Sequence, residues 1–278
     1  MIPGFDLDAF VRATLAEDLG EDGDITSAAV IPADARFTGV MDSRDAITVC
    51  GLPIAAAFFR ALDPGCDVEI LIEEGARVEP GTDLMRLSGH ARGLLSAERS
   101  ALNTVQHLSG VATLTRAYVD AIAGTGVILL DTRKTLPGLR VLEKYATRTG
   151  GATNHRMRLD DAAMIKDNHV AVAGGVEQAA RAARAVGIER VIVEVDRLDQ
   201  IEPALRGGAT HVLLDNMDPL TLREAVRIVG GRVPTEASGG ISLETIRAKA
   251  ETGVTYVSVG RITQSAPAAD IGLDFSPA

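Results

Sequence analysis

From Val127 to Val259 the sequence alternates short apolar segments with stretches whose apolar residues recur at helical spacing. The apolar segments are residues 127–130, 163–165, 191–193, 211–214, 233–235 and 257–259, and the helical stretches include 175–186, 198–205, 219–229 and 243–251. Strands that are apolar throughout are typical of a parallel sheet covered by helices. Because the units are short and regular, they favour an α/β barrel. Six strands are predicted, whereas a complete barrel of this kind usually has eight.

The residues before this region have a different pattern. An amphipathic helix is predicted near residues 7–19, strands at 38–41 and 68–71, and a long helix at 96–117. The fold class predicted is therefore α/β, with an N-terminal α+β sandwich domain and a C-terminal, incomplete barrel. The predicted domains are residues 1–110, which the C-terminal tail 266–278 could join, and the barrel at 111–265.

Composition excludes several classes of protein. A formal net charge of -10, 3% aromatic residues and no Trp argue against binding to nucleic acid. No apolar run approaches the roughly 20 residues that cross a bilayer, so no membrane partner is expected. Cys50 and Cys66 fit neither zinc-ligand spacing nor a disulfide framework. These features predict a cytoplasmic protein with reduced cysteines.

Cationic side chains cluster after the first two predicted barrel strands, namely Arg133, Lys134, His155, Arg156 and Lys166. In an acidic chain, a local concentration of positive groups needs a local cause. Arg and Lys bind carboxylate and phosphate through charge-assisted hydrogen bonds. The cluster therefore predicts a pocket for a small anion.

The later strand ends carry carboxylates and small residues, namely Glu194, Asp215, Ser238, Gly239, Gly240 and Gly260. The carboxyl ends of barrel strands converge on one face, and glycine amides there can approach a phosphate closely. A sugar phosphate, a second anionic group and a divalent cation would match this arrangement. Each residue alone has an ordinary interpretation, since a single Lys is usually solvated and a Gly pair usually forms a turn. The prediction rests on their occurrence at successive strand ends.

Ordered motifs along nearly the whole chain resemble those of the quinolinate phosphoribosyltransferase family. They are 17-EDLG-20, 24-DITS-27, 96-SAERSALN-103, 131-DTRKT-135, 137-PGLR-140, 144-KYA-146, 150-GG-151, 154-NHR-156, 165-IKDNH-169, 214-LDN-216 and 236-EASGG-240. The resemblance implies transfer of phosphoribosyl from phosphoribosyl pyrophosphate to quinolinate with loss of CO2, giving pyrophosphate and nicotinate mononucleotide in de novo NAD biosynthesis. It also implies a homodimer in which Arg99 completes the neighbouring site.

The resemblance also implies roles for individual residues. The catalytic residues would be Lys134, Lys166, Glu194 and Asp215, and the last two would hold Mg²⁺ directly or indirectly. The two quinolinate carboxylates would be bound by the cationic set Arg99, Arg133, His155, Arg156 and Lys166. Further substrate contacts would come from Thr132, with the 5-phosphate taken by Ser238, Gly239, Gly240 and Gly260.

Two positions depart from the family pattern, and several rival functions remain open. Ile192 stands where the family often has an acid, and Arg261 where it has a small residue. The nearest rivals are a nicotinate phosphoribosyltransferase and a molybdenum-transport relative with similar architecture. Two more distant rivals are a non-catalytic barrel that binds a phosphorylated metabolite, and an aldolase that uses Lys134 or Lys166 as a Schiff base.

Overall fold

The computed structural model describes residues 2–277. In chain order, the elements of the first half are α1 (Leu7–Leu19), α2 (Ile25–Val30), β1 (Arg36–Ser43), β2 (Ile47–Thr48), α3 (Leu52–Leu62), β3 (Asp67–Ile70), β4 (Arg77–Val78), β5 (Thr82–His90), α4 (Ala91–Ala121), β6 (Ile128–Leu130) and α5 (Arg140–Thr149). The second half contains β7 (Ala163–Ile165), α6 (Asp167–Ala173), α7 (Val176–Ala185), β8 (Val191–Val195), α8 (Ile201–Arg206), β9 (His211–Asp215), α9 (Pro219–Val229), β10 (Thr235–Ser238), α10 (Leu243–Ala250), β11 (Tyr256–Ser258), α11 (Arg261–Gln264) and β12 (Ile271–Pro277). No helix within residues 2–277 has both the length and the apolar character required to cross a membrane.

The chain forms two compact units. The first comprises residues up to 114, residues 141–150 and residues from 266 onward, and the second comprises residues 115–140 and 151–265. The first unit contains a four-stranded antiparallel sheet in the order β12-β1-β5-β3. Its edge strand β12 comes from the C-terminal tail and places Leu273 opposite Met41 of β1. The domain boundaries at residues 110 and 265 stay predictions.

Helix α3 supplies much of the apolar core of the first unit. Phe58 and Phe59 are fully buried, and the ring of Phe58 packs edge-on against Phe10 of α1 at 5.9 Å between centroids. The first turn of α3 has no capping side chain of its own. Instead the Glu74 carboxylate accepts hydrogen bonds from the backbone N–H groups of residues 51 and 52. A carboxylate at this end also interacts favourably with the helix dipole.

The second unit contains a six-stranded parallel sheet in the order β6-β11-β10-β9-β8-β7. Strand β6, the first strand of this sheet along the chain, pairs with β11, the last one. This pairing is the connectivity of a barrel. Between β6 and β7 the described residues form no strand pairing, and an isolated bridge joins Leu130 to Thr153 near the opening. The predicted fold class, an incomplete α/β barrel after an N-terminal α+β domain, is confirmed.

The fifth barrel strand does not lie where the sequence pattern predicts it. The pattern points to residues 233–235, whereas β10 runs from Thr235 to Ser238. The reason is Glu236, a charged residue that is fully buried in this strand and that no apolar pattern includes. Helix α9, by contrast, matches its prediction. Asp218 caps it by accepting a hydrogen bond from the backbone N–H of Thr221, and Pro219 begins it.

Replacing Phe58 by Ala should lower the free energy of unfolding of the first unit by about 3 to 5 kcal/mol, because a buried ring is replaced by a cavity. Val30→Ala is the control, since this residue of the same unit is 67% exposed and its loss should change the value by less than about 0.5 kcal/mol. Guanidinium denaturation, followed by circular dichroism, measures the free energy of unfolding of each variant. Equal effects of the two substitutions would contradict the packing described.

Candidate active site

A cavity of about 820 Å³ opens at the carboxyl ends of the barrel strands in the second unit. Its size is typical of a site for a small organic ligand. All of the predicted site residues except Arg99 line it, namely Thr132, Arg133, Lys134, His155, Arg156, Lys166, Glu194, Asp215, Ser238, Gly239, Gly240 and Gly260. Arg99 belongs to the first unit, where it is exposed on α4.

Asp131 ties two of the cation-bearing segments together. Its fully buried carboxylate follows β6 directly and accepts hydrogen bonds from Asn154 Nδ2 at 2.7 Å and from the backbone N–H of His155 at 2.8 Å. These bonds bring residues 154–156 to the end of β6, where Arg133 lies. Sequence reasoning assigned no role to Asp131. An acid directly after an apolar strand is the signal that points to it.

Two guanidinium groups of the cavity wall have incomplete hydrogen bonding. The Nε atoms of Arg133 and Arg156 are buried and have no hydrogen-bond partner among the described residues. Arg156 is only 8% exposed, and its Nη1 donates to the backbone oxygen of Ala162 at 2.8 Å. Burial, followed by the charge of Arg133, lowers the pKa of Arg156. Buried like charges of this kind are stabilised when an anion binds between them.

One lysine and two carboxylates form the next part of the rim. Lys166, which follows β7, pairs with Glu194 of β8 at 2.7 Å between Nζ and Oε2. Asp215 ends β9 and accepts a hydrogen bond from Asn216 Nδ2 at 2.6 Å. Asn216 has a φ of 56°, a left-handed conformation that is uncommon outside glycine and that places its side chain beside Asp215. Glu194 and Asp215 thus lie within strands rather than in the loops after them.

Glycines allow close approach at the last two strand ends. Gly239 has a φ of 85°, and a Cβ there would lie 2.1 Å from Asn216 Oδ1. A Cβ on Gly260 would lie 2.8 Å from Cδ of Lys134, whose backbone oxygen accepts a hydrogen bond from Thr263 Oγ1 at 2.6 Å. Side chains at either glycine would therefore displace a residue of the cavity wall. The bare backbone at Gly239 and Gly240 leaves room for an anion.

Glu236 is a cavity-lining residue that sequence reasoning left without a role. Its Oε2 lies 3.3 Å from His155 Nε2 and 3.0 Å from His211 Nε2. Burial raises the pKa of Glu236, but hydrogen bonds and charge from His155 and His211 outweigh burial and lower the pKa to about 2. The carboxylate therefore stays ionised inside the barrel. His211 is one of its two neighbours and stacks on Tyr256.

The two departures from the family pattern have different surroundings. Ile192 is fully buried and packs with Ala162 and Leu213 beneath the cavity. No acidic group stands at that position to contact a substrate. Arg261, by contrast, lines the cavity next to Gly260, where its charge is available to an anionic ligand.

The carboxylates of the cavity suit a cation that arrives with a phosphorylated ligand. Within residues 2–277 no group of three or more His, Cys, Asp and Glu side chains could enclose a metal ion. Glu194 and Asp215 nevertheless face the same cavity. Magnesium is commonly bound by one or two carboxylates together with substrate phosphates, and these hard oxygen donors fit that pattern.

Comparison with known proteins agrees with this geometry. Family models described as quinolinate phosphoribosyl transferase match residues 24–109, for the N-terminal domain, and residues 111–274, for the C-terminal domain. The chain is 46% identical over 270 residues to "Nicotinate-nucleotide pyrophosphorylase [carboxylating]" of Mycobacterium leprae, covering 95% of each sequence.

Solved structures agree in both fold and extent. The nicotinate-nucleotide pyrophosphorylase from Francisella tularensis is 38% identical, with a TM-score of 0.93 and 99% coverage of each chain. NadC from Streptococcus pyogenes is 35% identical, also with a TM-score of 0.93, covering 98% of this chain and 97% of that one. The resemblance seen in the sequence motifs is confirmed, and the chain belongs to the quinolinate phosphoribosyltransferase family.

Proposed function

We propose that this chain transfers the phosphoribosyl group of phosphoribosyl pyrophosphate to quinolinate and releases CO2 and pyrophosphate. The product is nicotinate mononucleotide, an intermediate of de novo NAD biosynthesis. The observation that carries the proposal is the wall containing Arg133 and Arg156, with their buried and unpartnered Nε atoms. A doubly charged acid such as quinolinate satisfies two guanidinium groups better than a monoacid does.

The two halves of the site take different substrates in this proposal. Arg133, Arg156 and Lys166 bind the quinolinate carboxylates, with His155 directly beside them. The remaining residues, Thr132, Lys134, Ser238, Gly239, Gly240 and Gly260, face the ribose and phosphates of phosphoribosyl pyrophosphate. Arg261 adds a positive charge on the phosphate side, where the cavity has room for it.

Charge development explains why carboxylates stand beside the ribose. The ring nitrogen of quinolinate attacks the anomeric carbon while pyrophosphate leaves with the bonding electron pair, so positive charge builds on the ribose ring. Glu194 and Asp215 are placed to stabilise that charge. They are also the residues that would hold Mg²⁺, which when bound neutralises charge on the leaving pyrophosphate.

Decarboxylation follows from the same placement. Once its nitrogen is ribosylated, the ring is a pyridinium that stabilises the electron pair left when the C–C bond to the adjacent carboxylate breaks. CO2 departs, and the ring carbon takes up a proton. The protein contributes orientation of the carboxylates, in which the half-buried Arg133 and the buried Arg156 take part.

The assay that tests the proposal mixes protein, quinolinate, phosphoribosyl pyrophosphate and Mg²⁺, and measures CO2 and nicotinate mononucleotide together. We expect both products in equal amounts, and no turnover when a chelator removes the metal. A parallel reaction with nicotinate should give little product. Nicotinate has a single carboxylate, so one cation of the cavity wall stays without an anionic partner. Nucleotide formation from nicotinate alone would favour the nicotinate-specific rival, and tight binding of phosphoribosyl pyrophosphate without CO2 release would favour a non-catalytic barrel.

Replacing Arg133 by Ala should lower kcat/KM at least about a hundredfold, because a substrate carboxylate loses a half-buried cation. Arg133→Lys should recover only part of this loss, since a point charge cannot replace a bidentate fork. Arg232→Ala is the matched control, because this arginine of the same unit forms an exposed ion pair with Glu202. Circular dichroism checks that each variant folds. A fully active Arg133→Ala enzyme would contradict the assignment.

We also propose that the active form is a homodimer in which Arg99 reaches the cavity of the partner. Its support is that Arg99 is exposed on α4 of the first unit. Across a twofold axis, the same residue of each subunit would serve the other site. The resemblance to the family motifs implies the same arrangement.

Complementation tests this arrangement. Arg99→Ala and Lys166→Ala variants should each be inactive. A hybrid dimer, isolated with two different affinity tags after co-expression, should recover about half of the wild-type activity, because one of its two sites then has both residues. If Arg99 acted within its own subunit, both sites of the hybrid would be defective. An inactive hybrid would therefore refute donation across the interface.

The cellular location belongs to the same proposal. We place the enzyme in the cytoplasm, where a reducing environment keeps thiols free. In keeping with this, Cys50 and Cys66 form no disulfide, and burial raises the pKa of the Cys50 thiol well above its usual value. A buried thiol of this kind is unreactive and serves as a small apolar residue.

A further inference from the structure

Glu236 has an unusual environment for a carboxylate. The interior of a parallel barrel is normally filled by branched apolar side chains, yet Glu236 is fully buried there. Its Oε1 has no hydrogen-bond partner among the described residues, and its Oε2 faces His155 and His211. Burying a charge costs free energy unless opposite charges and hydrogen bonds compensate for that cost. The interactions around Glu236 therefore indicate what the residue does.

His155 connects the Glu236 carboxylate to Arg156, the next residue in the chain. Its Nε2 lies 3.3 Å from Glu236 Oε2, and its Nδ1 accepts a hydrogen bond from the backbone N–H of Arg156 at 2.7 Å. An imidazole that accepts at Nδ1 carries its proton on Nε2, where it can donate to the carboxylate. Both ring nitrogens are thus engaged by protein atoms, and the ring bridges β10 to the backbone of Arg156.

The guanidinium of Arg156 is held at its other end as well. Its Nη1 donates to the backbone oxygen of Ala162 at 2.8 Å, immediately before β7. The backbone of Arg156 is fixed through His155, and its head through Ala162. Its Nε is buried and has no hydrogen-bond partner among the described residues. The direction of the Arg156 guanidinium depends on the hydrogen bonds to His155 and Ala162. Losing either bond would let the guanidinium turn away from the cavity.

We propose that Glu236 is a positioning residue for the dicarboxylate substrate, acting through His155 to aim Arg156. The inference rests on the proposed function and adds to it a second task for His155, which lines the cavity and also bridges two protein groups. His211 steadies the same carboxylate from a second side, with its ring stacked on Tyr256 at 5.4 Å between centroids. The binding of quinolinate should depend on this bridge, and that of phosphoribosyl pyrophosphate should not.

A double-mutant cycle on Glu236→Gln and His155→Asn tests the bridge. The amide oxygen of Asn can replace Nδ1 as the acceptor for Arg156, but the side chain is too short to reach Glu236. Each single variant should weaken quinolinate binding about tenfold, and the double variant should lose little more, because both changes break the same connection. Calorimetric titration with quinolinate alone measures the Kd, and steady-state kinetics should show an unchanged KM for phosphoribosyl pyrophosphate.

Matched controls separate positioning from stability. Glu202→Gln changes an exposed, ion-paired glutamate of the same unit and should leave the Kd for quinolinate unchanged. His155→Gln keeps an amide near the Nε2 position but loses the acceptor for Arg156, so it breaks the bridge at the opposite end. Should Glu236→Gln fail to fold, Glu236→Asp takes its place in the cycle, since the shorter acid keeps the charge but lies farther from His155 Nε2.

The outcomes are distinguishable from those of the proposed function. Additive losses in the cycle, equal losses for both substrates, or an unaltered quinolinate Kd in both His155 variants would overturn the role given to Glu236. In each of those cases the wild-type enzyme would still bind quinolinate and release CO2. If the wild-type protein neither binds quinolinate nor releases CO2, the proposed function itself fails.

Discussion

The repulsion between two guanidinium groups shapes the rest of this site. Arg133 and Arg156 line one cavity, and burial together with the charge of its neighbour lowers the pKa of Arg156. Such an arrangement is unfavourable in the free protein and becomes favourable when an anion is bound. Holding Arg156 in place keeps the two groups together, because a flexible side chain would turn away. The Asp131 carboxylate holds the preceding residue by accepting a hydrogen bond from the backbone N–H of His155, and the backbone oxygen of Ala162 accepts one from the Arg156 guanidinium.

The opening in the barrel explains where these anchors come from. A complete barrel would have regular strand pairing between β6 and β7, but here the intervening segment forms a single bridge, from Leu130 to Thr153. The residues that follow the bridge are His155 and Arg156, which are buried at the cavity. The irregular connection thus brings two functional side chains to the site that a regular strand and helix would have placed elsewhere. The proposed binding of a dicarboxylate depends on this irregular connection.

Different forces act on the two sides of the cavity. On the cationic side, the recognition that we propose relies on the charge of Arg133 and Arg156 and on the carboxylate of Glu236 behind it. On the phosphate side, Gly239 is required for steric reasons, because a Cβ there would strike Asn216, whereas a Cβ on Gly260 would meet the flexible side chain of Lys134. Backbone groups and glycines provide space, whereas arginines provide specificity. A chain of net charge -10 can bind two anionic substrates because its positive groups are concentrated in one shielded place.

The sequence alone determined the fold class and most of the residues that line the cavity, while the opening between β6 and β7 came from the structure. Apolar strands alternating with amphipathic helices leave few other ways to bury their surfaces, and parallel connectivity brings Arg133, Lys166 and Asp215 to one face. Only the tertiary structure decided the exact position of β10 and the roles of Asp131 and Glu236. A buried acid is recognisable by its partners, which here are 24 residues away for Asp131 and 81 for Glu236. Local pattern carries no information about such distant partners, because it is the packed barrel that brings them together.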